Sequence, residues 1–372
     1  MLEKGRISAA QFSILAGMSV LATSLLTAPG IVAIDAKQDM WISPIWISSA
    51  GFILVWTLYK LNQAYPDQTL VEYAVSILGR FAGKTVAALY LVFVIFATAN
   101  VLRQFTDFIK LTFLLTTPDF VISGCMLLVC WLVARSGIET VARLPMLLLP
   151  LVTLFVLMIY TPSIADIRFE RLTPVMEKGA VPSLIGAFRL LSWMPAFSIM
   201  NFYMPYLNNR KHLLYWSLGS VVVVTLTLSV TFVIVYTVIG AAVVNYTYPF
   251  MILARYISFT EFFEHLESIV MMIWVIQIVI RISFGLYGAA LGMAQCFGLT
   301  GYKPMVPPIC MLILLFSLWG IENAQFVSSP SMVVYYTLFG MMLPFLLLVV
   351  YGIRQLFAES DSPGYPEGET SA

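Results

Sequence analysis

Apolar runs of about twenty residues recur along almost the whole chain, and each is long enough to cross a hydrocarbon layer about 30 Å thick at about 1.5 Å of helix rise per residue. In lipid, every backbone amide and carbonyl must find its partner inside the protein, which runs of this kind achieve as helices. Of 372 residues, 60% are hydrophobic and 10% charged, whereas soluble domains carry about 25% charged residues. These features imply an all-α integral membrane protein. With 20 basic against 19 acidic residues, the chain has no basic excess with which to hold nucleic acid.

Ten transmembrane segments are expected: Ala9 to Val32, Trp41 to Leu61, Lys84 to Leu115, Val121 to Ala134, Arg143 to Tyr160, Ser183 to Pro205, Leu213 to Val244, Leu266 to Gln295, Val306 to Trp319 and Ser331 to Leu356. The first is too long for a signal h-region and lacks a small-residue cleavage site, so it is expected to stay in the mature protein. An even count puts both termini on one side. Eleven Lys and Arg residues, among them Lys4, Arg6, Arg80, Arg143, Arg210 and Lys303, fall on the side of the termini, and five (Lys37, Arg168, Arg171, Lys178, Arg255) on the other. That bias places both termini in the cytoplasm. Residues 358–372 mix acids with Ser, Pro and Gly and are expected to form a disordered cytoplasmic tail behind a transmembrane domain spanning 1–357. Four cysteines (Cys125, Cys130, Cys296, Cys310) lie in apolar runs without CxxC spacing or nearby His, so they read as core residues rather than disulfides or metal ligands.

The chain also repeats itself. Tyr65, Pro66, Leu70 and Tyr73 follow segment two, and Tyr248, Pro249, Leu253 and Tyr256 follow segment seven at the same spacings. In each copy a long helix begins about eighteen residues after the proline. With five segments per half, the second copy enters from the opposite face, which is the inverted 5+5 repeat of secondary transporters, over about 7–162 and 183–357.

In such a repeat segments one and six are counterparts, and both carry helix-breaking chemistry near mid-depth. Segment one reads Ala22-Thr23-Ser24 with Pro29 beyond, and segment six reads Trp193-Met194-Pro195. Breaks at matching depth point to a midplane binding site, although proline can also merely kink a packed helix. On segment three, Phe93, Ala97, Asn100, Gln104 and Asp107 share one face; on segment eight, Gln277, Arg281, Gly285, Gly288 and Gly292 do the same. The last two glycines fit a helix-packing pattern. Arg281, about fifteen residues into its segment, needs a partner, water or a ligand at the membrane centre. Arg103 and Asp107, one turn apart, read as a pair. With Arg189 and Lys110 nearby, the outer end is expected to be a positive vestibule suited to carboxylates, to which an unwound segment one would add free N–H groups.

The stretch from Leu21 to Pro29 resembles the helix break of the amino acid/polyamine/organocation transporter superfamily. More specifically, Ile7 to Gln11, Arg103 to Lys110, Phe262 to Ser268, Ile273 to Gln277 and Ser317 to Trp319 resemble the B subunit, or spore permease subunit, of Ger-type nutrient germinant receptors. The resemblance covers nearly all of residues 1–357. It implies a LeuT-like fold with segments one and six broken, an inner spore membrane location, recognition of a nutrient such as an amino acid to trigger germination, and partners in a larger A subunit and a lipoprotein C subunit. The pocket expected from the two breaks and the two polar stripes is lined by Ala22, Thr23, Ser24, Phe93, Ala97, Asn100, Trp193, Met194, Pro195, Arg281 and Gly285. The sequence departs from relatives in having Ala22-Thr23-Ser24 where glycines are common. It also has no lysine in the middle of segment five, where some proton-coupled members carry one. The alternative reading is an amino acid permease working by alternating access. No Ser-His-Asp, paired-carboxylate or His-rich set suggests an enzyme, no cofactor is called for, and His265 among Glu261, Glu264 and Glu267 reads as a solvated face.

Overall fold

A computed structural model describes residues 3–256, 266–321 and 329–360. Among these residues the chain is helical throughout, with one isolated bridge between Ile7 and Leu207 in place of any sheet. In order, the helices are α1 (Ala9–Ala36), α2 (Ser43–Ala64), α3 (Leu70–Leu78), α4 (Arg80–Thr112), α5 (Asp119–Arg135), α6 (Ile138–Ser163), α7 (Val181–Leu190), α8 (Leu213–Ile239), α9 (Pro249–Tyr256), α10 (Leu266–Cys296), α11 (Val306–Trp319), α12 (Pro330–Thr337) and α13 (Leu343–Ser360). A π-helical turn, Leu338–Met342, joins the last two.

Each of the ten expected segments overlaps a helix. Seven described stretches are long and apolar enough to span a membrane, the first running through α1 and α2 as Ala9–Ala64, while α11 belongs to a shorter apolar helical stretch. The two tyrosine-proline copies become short helices, α3 and α9, each leading to a long one: α4 has 33 residues and α10 has 31. Thr69 and Glu72 close a capping box on α3, satisfying amides that the abrupt start would leave bare. The helix of segment ten continues to Ser360, beyond the point where a tail was expected, and 361–372 lie outside the described residues, as do His265, Glu261 and Glu264.

The core is organised around α1 and α10. The first packs against α8, α7, α10 and α6, and the second against α4, α5, α6 and α1. Close approach of α10 to its neighbours depends on its glycines: a Cβ on Gly292 would sit 2.6 Å from both Leu91 of α4 and Phe202, which no ordinary contact permits. Helix α6 packs on this core from one side only, with 17% of its most apolar window buried.

Segment one is not broken. Helix α1 runs unbroken from Ala9 to Ala36, through Ala22, Thr23 and Ser24 and past Pro29. Those three residues are helix-compatible, and Pro29 removes one N–H without requiring a second conformation. The hydroxyls bond back along an intact helix, Ser24 to the Val20 carbonyl at 2.8 Å and Thr27 to that of Thr23 at 2.9 Å. There are accordingly no free N–H groups at its middle. Segment six does break. Helix α7 ends at Leu190, and after a turn the chain resumes as a 3-10 stretch, Met194–Phe202, with Pro195 in its first turn.

The two elements run antiparallel and are joined at both ends. At one end the Ile7 amide donates to the Tyr206 carbonyl at 3.0 Å, and the Asn208 amide to the Ile7 carbonyl at 2.9 Å. At the other end Arg189 pairs with Asp35.

Candidate functional site

The break in segment six is set into the core by side chains from its neighbours. Trp193, at the turn, donates its indole N–H to the Thr23 hydroxyl at 3.0 Å. Trp274 of α10 donates to the Ala22 carbonyl at 2.6 Å and is wedged edge-on against Phe108 with ring centroids 4.3 Å apart. The 3-10 stretch is held from outside by tyrosines: Tyr90 of α4 donates to Ser198 at 2.8 Å, and Tyr73 of α3 to Asn201 at 3.0 Å. The sequence offers Tyr73 only as part of the repeat and Trp274 only within a stretch of family resemblance, and it gives no sign of Tyr90, because the partners of all three lie far away in the chain.

Beside this junction, α4, α10 and α12 enclose a polar group. Arg281 is buried, with 9% of its surface exposed, and its Nη1 has no partner. Among the described residues no Asp or Glu forms an ion pair with it. The Tyr336 hydroxyl is its electrostatic neighbour, and the Asn100 carboxamide stands beside that same hydroxyl. Gln104 donates to the Asn100 side-chain oxygen at 2.8 Å. Arg281 Nη1 and Gln104 Oε1 are buried without a partner, and Asn100 Nδ2 and the Tyr336 hydroxyl are buried with no partner beyond each other. Buried polar groups are ordinarily satisfied, because each orphan costs its full desolvation. The set combines donors, an acceptor and an uncompensated guanidinium, the chemistry with which a polar group of anionic character pairs. Phe93 forms its apolar wall with Tyr335, Tyr336 and Phe339, centroids 5.6–6.3 Å apart.

Of the residues expected to line a pocket, the structure brings Phe93, Asn100 and Arg281 together, with Ala97 buried on the same face of α4. Ala22, Thr23 and Trp193 form the adjoining junction. Pro195 lies against Gly340, where a Cβ would also meet the Phe93 ring at 2.9 Å. Ser24 is spent on its own helix, and Met194 points to α2, its sulfur 3.4 Å from where a Gly51 Cβ would be. At Gly285 the missing side chain gives its space to the Thr98 hydroxyl, so this glycine serves packing between α10 and α4. Tyr336, near the start of segment ten, is a residue that the sequence does not single out.

The expected positive vestibule is not there. Arg103 pairs with Asp107 at 3.0 Å and with Asp119 at 3.5 Å, Lys110 with Asp119 at 2.5 Å, and Arg189 with Asp35. Asp119 and Asp35 are reached only through the fold, and they neutralise these cations locally. Among the intramembrane cations this leaves Arg281 without an acidic partner.

The family model described as spore germination protein, of the spore permease type, matches residues 6–327. The chain belongs to the spore germination protein family. Among its relatives, "Spore germination protein YndE" of Bacillus subtilis is 26% identical over 350 residues, covering 93% of this chain and 96% of its own. "Spore germination protein KB" of the same organism is 26% identical over 325 residues, covering 85% and 86%. Spore germination protein GerQB of Bacillus cereus is 22% identical over 298 residues, covering 77% and 80%. Two solved transporters share the fold, each at 12% identity. A Na+-coupled sialic acid symporter in a substrate-bound outward-open state matches with a TM-score of 0.63, covering 93% of this chain and 79% of its own. MhsT in complex with L-phenylalanine matches at 0.61, covering 95% and 100%. The fold of this germination protein is therefore of the LeuT type, and it is a membrane protein of the germinant receptor kind.

Proposed function

We propose that the chain senses a nutrient such as an amino acid at the Arg281 cluster and acts as the ligand-binding membrane subunit of a germinant receptor. The larger A subunit and the lipoprotein C subunit are its partners in the inner spore membrane. In this reading ten helices span the bilayer as two inverted sets, 7–162 and 183–357, with both termini cytoplasmic. Nutrient binding shifts the bundle between conformations by its preference for one of them, and the partners read the shift.

The observation that carries the reading is the buried guanidinium of Arg281, unpaired at Nη1 and grouped with the polar side chains of Tyr336, Asn100 and Gln104. A carboxylate placed there would meet Arg281 and the Asn100 amide, while Gln104 Oε1 would accept from an amine. Spores carrying Arg281→Met are expected to retain the receptor in the membrane yet lose, or shift at least tenfold, their dose-response to the nutrient. Arg281→Lys restores part of it, since lysine supplies charge without the planar fork. An unchanged dose-response in assembled Arg281→Met receptors overturns the proposal. For the topology, Asn209→Cys is expected to resist an impermeant thiol reagent added to sealed cells, and rapid labelling from outside reverses the assignment. Uptake of radiolabelled amino acids by the purified protein in vesicles separates sensing from transport.

A further inference from the structure

Segment ten changes pitch part-way along. Between α12 and α13 the backbone widens into the π-helical turn Leu338–Met342, where the Leu343 amide reaches back five residues, to the Leu338 carbonyl, instead of four. Pro344 accounts for the widening: it has no N–H to offer the Gly340 carbonyl four residues earlier, and in α geometry its ring would press on that carbonyl. A π turn holds one residue more than the α turn it replaces, and such turns recur at functional sites. This one lies against the candidate site. A Cβ on Gly340 would sit 2.3 Å from that of Pro195 and 2.9 Å from the Phe93 ring, so the backbone of the turn rests on the break in segment six and on the wall of the Arg281 cluster. Four residues earlier Tyr336, 3% exposed, has Arg281 and Asn100 as its neighbours. Beyond the turn, α13 is fastened elsewhere: Tyr351 lies edge-on to Tyr65 with ring centroids 5.4 Å apart, and Arg354 donates to the Ser76 carbonyl at 3.3 Å.

Closing the turn to α geometry, with the sequence unchanged, has a definite outcome. With α13 held, every residue of α12 moves on by one position, about 100° of rotation and about 1.5 Å along the axis. Thr337 then stands where Tyr336 now faces Arg281. Tyr336 takes the place of Tyr335, a position that already accommodates a tyrosine between Phe93 and Phe96, with ring centroids 5.9 and 5.7 Å away. Either register puts a hydroxyl before Arg281, and no hydrogen bond from Arg281 Nη1 holds the present one. We propose that the π turn is a register switch, setting either Tyr336 or Thr337 opposite Arg281, by which the state of the buried cluster is passed to the exposed side of segment ten, where Val334 and Leu338 are 58% and 44% exposed. The switch belongs to the fold and stands whichever ligand the cluster takes.

The test places 3,5-difluorotyrosine at position 336 of the full chain in nanodiscs and reads its fluorine spectrum. Two resonances are expected for the parent protein, one for each register, and Arg281→Met should change their ratio about threefold or more. Pro344→Ala, which restores a donor for the Gly340 carbonyl, should raise the resonance of the closed register. Deleting Met341 together with Pro344→Ala removes the extra residue, so that a regular α-helix keeps α12 and α13 on their present faces. That variant should show one resonance, at the position of the open register. Deleting Met342 instead gives the same helix and serves where the first deletion does not insert. A single resonance in the parent and in Pro344→Ala alike overturns the proposal, as does a ratio that Arg281→Met leaves unchanged. Two resonances that persist in the deletion variants arise from the ring and not from the register, and overturn it equally.

Discussion

Helix α1 and the broken segment six carry similar breaking chemistry, a proline with hydroxyl side chains nearby, and they end in different states. In α1 the hydroxyls of Ser24 and Thr27 find carbonyls one turn back, and Pro29 leaves the helix continuous. In segment six the turn after α7 exposes backbone and side-chain groups that are met from other helices: Trp193 by Thr23, Ser198 by Tyr90, Asn201 by Tyr73. The difference teaches that proline only makes a break affordable; tertiary partners decide whether it occurs.

The comparison predicts an order of effects. Trp193→Ala, which empties the turn and removes its anchor to α1, should cost most, about 3–5 kcal/mol, read as a lowered thermal unfolding midpoint in detergent. Thr23→Val leaves the Trp193 indole N–H buried without an acceptor and should cost about 1–3 kcal/mol. The same variant should speed amide exchange across 191–202 while leaving the rest of α1 protected. Tyr90→Phe takes one bond from the 3-10 stretch and should cost about 1 kcal/mol, with faster exchange confined to residues near Ser198. Pro29→Ala restores a donor to a helix that is already continuous and should change stability by no more than about 1 kcal/mol, in the stabilising direction. Should Pro29→Ala match Trp193→Ala in size, proline placement rather than tertiary contact would govern both elements.

What could be read in the sequence followed what is local or periodic. Membrane class, helix positions and the face shared by Phe93, Ala97 and Asn100 all come from apolar length and a period of three to four residues. The isolation of Arg281 was legible because depth along a helix is simple arithmetic, and Gln277 and Gly285, one turn away, carry no charge. The family resemblance gave the fold, and it also misled: a motif that is glycine-rich in relatives was taken for a break, although Ala22, Thr23 and Ser24 lack the backbone freedom that glycine supplies. Pairings across the fold were beyond reach. Arg189 finds Asp35 at a separation of 154 residues, and Arg103 finds Asp119 across the turn between α4 and α5. A charge count that cannot see those pairs returns a positive vestibule where the structure has a neutral one. Tyr336 was hidden for the same reason, since nothing local distinguishes a tyrosine facing Arg281 from one facing lipid.

The junctions at the two ends of α1 and segment six have a mechanical meaning. Two amide bonds at one end and the Asp35–Arg189 pair at the other turn these antiparallel elements into a closed frame of nearly fixed perimeter. One long side, α1, is a continuous helix; the other has an elbow at Leu191 to Trp193. Such a frame cannot swing open like a door at either face while its corners hold. It can flex at the elbow, drawing the corners together or letting them apart. A load applied at the elbow, where Trp193 bears on Thr23, therefore reaches both membrane faces at once.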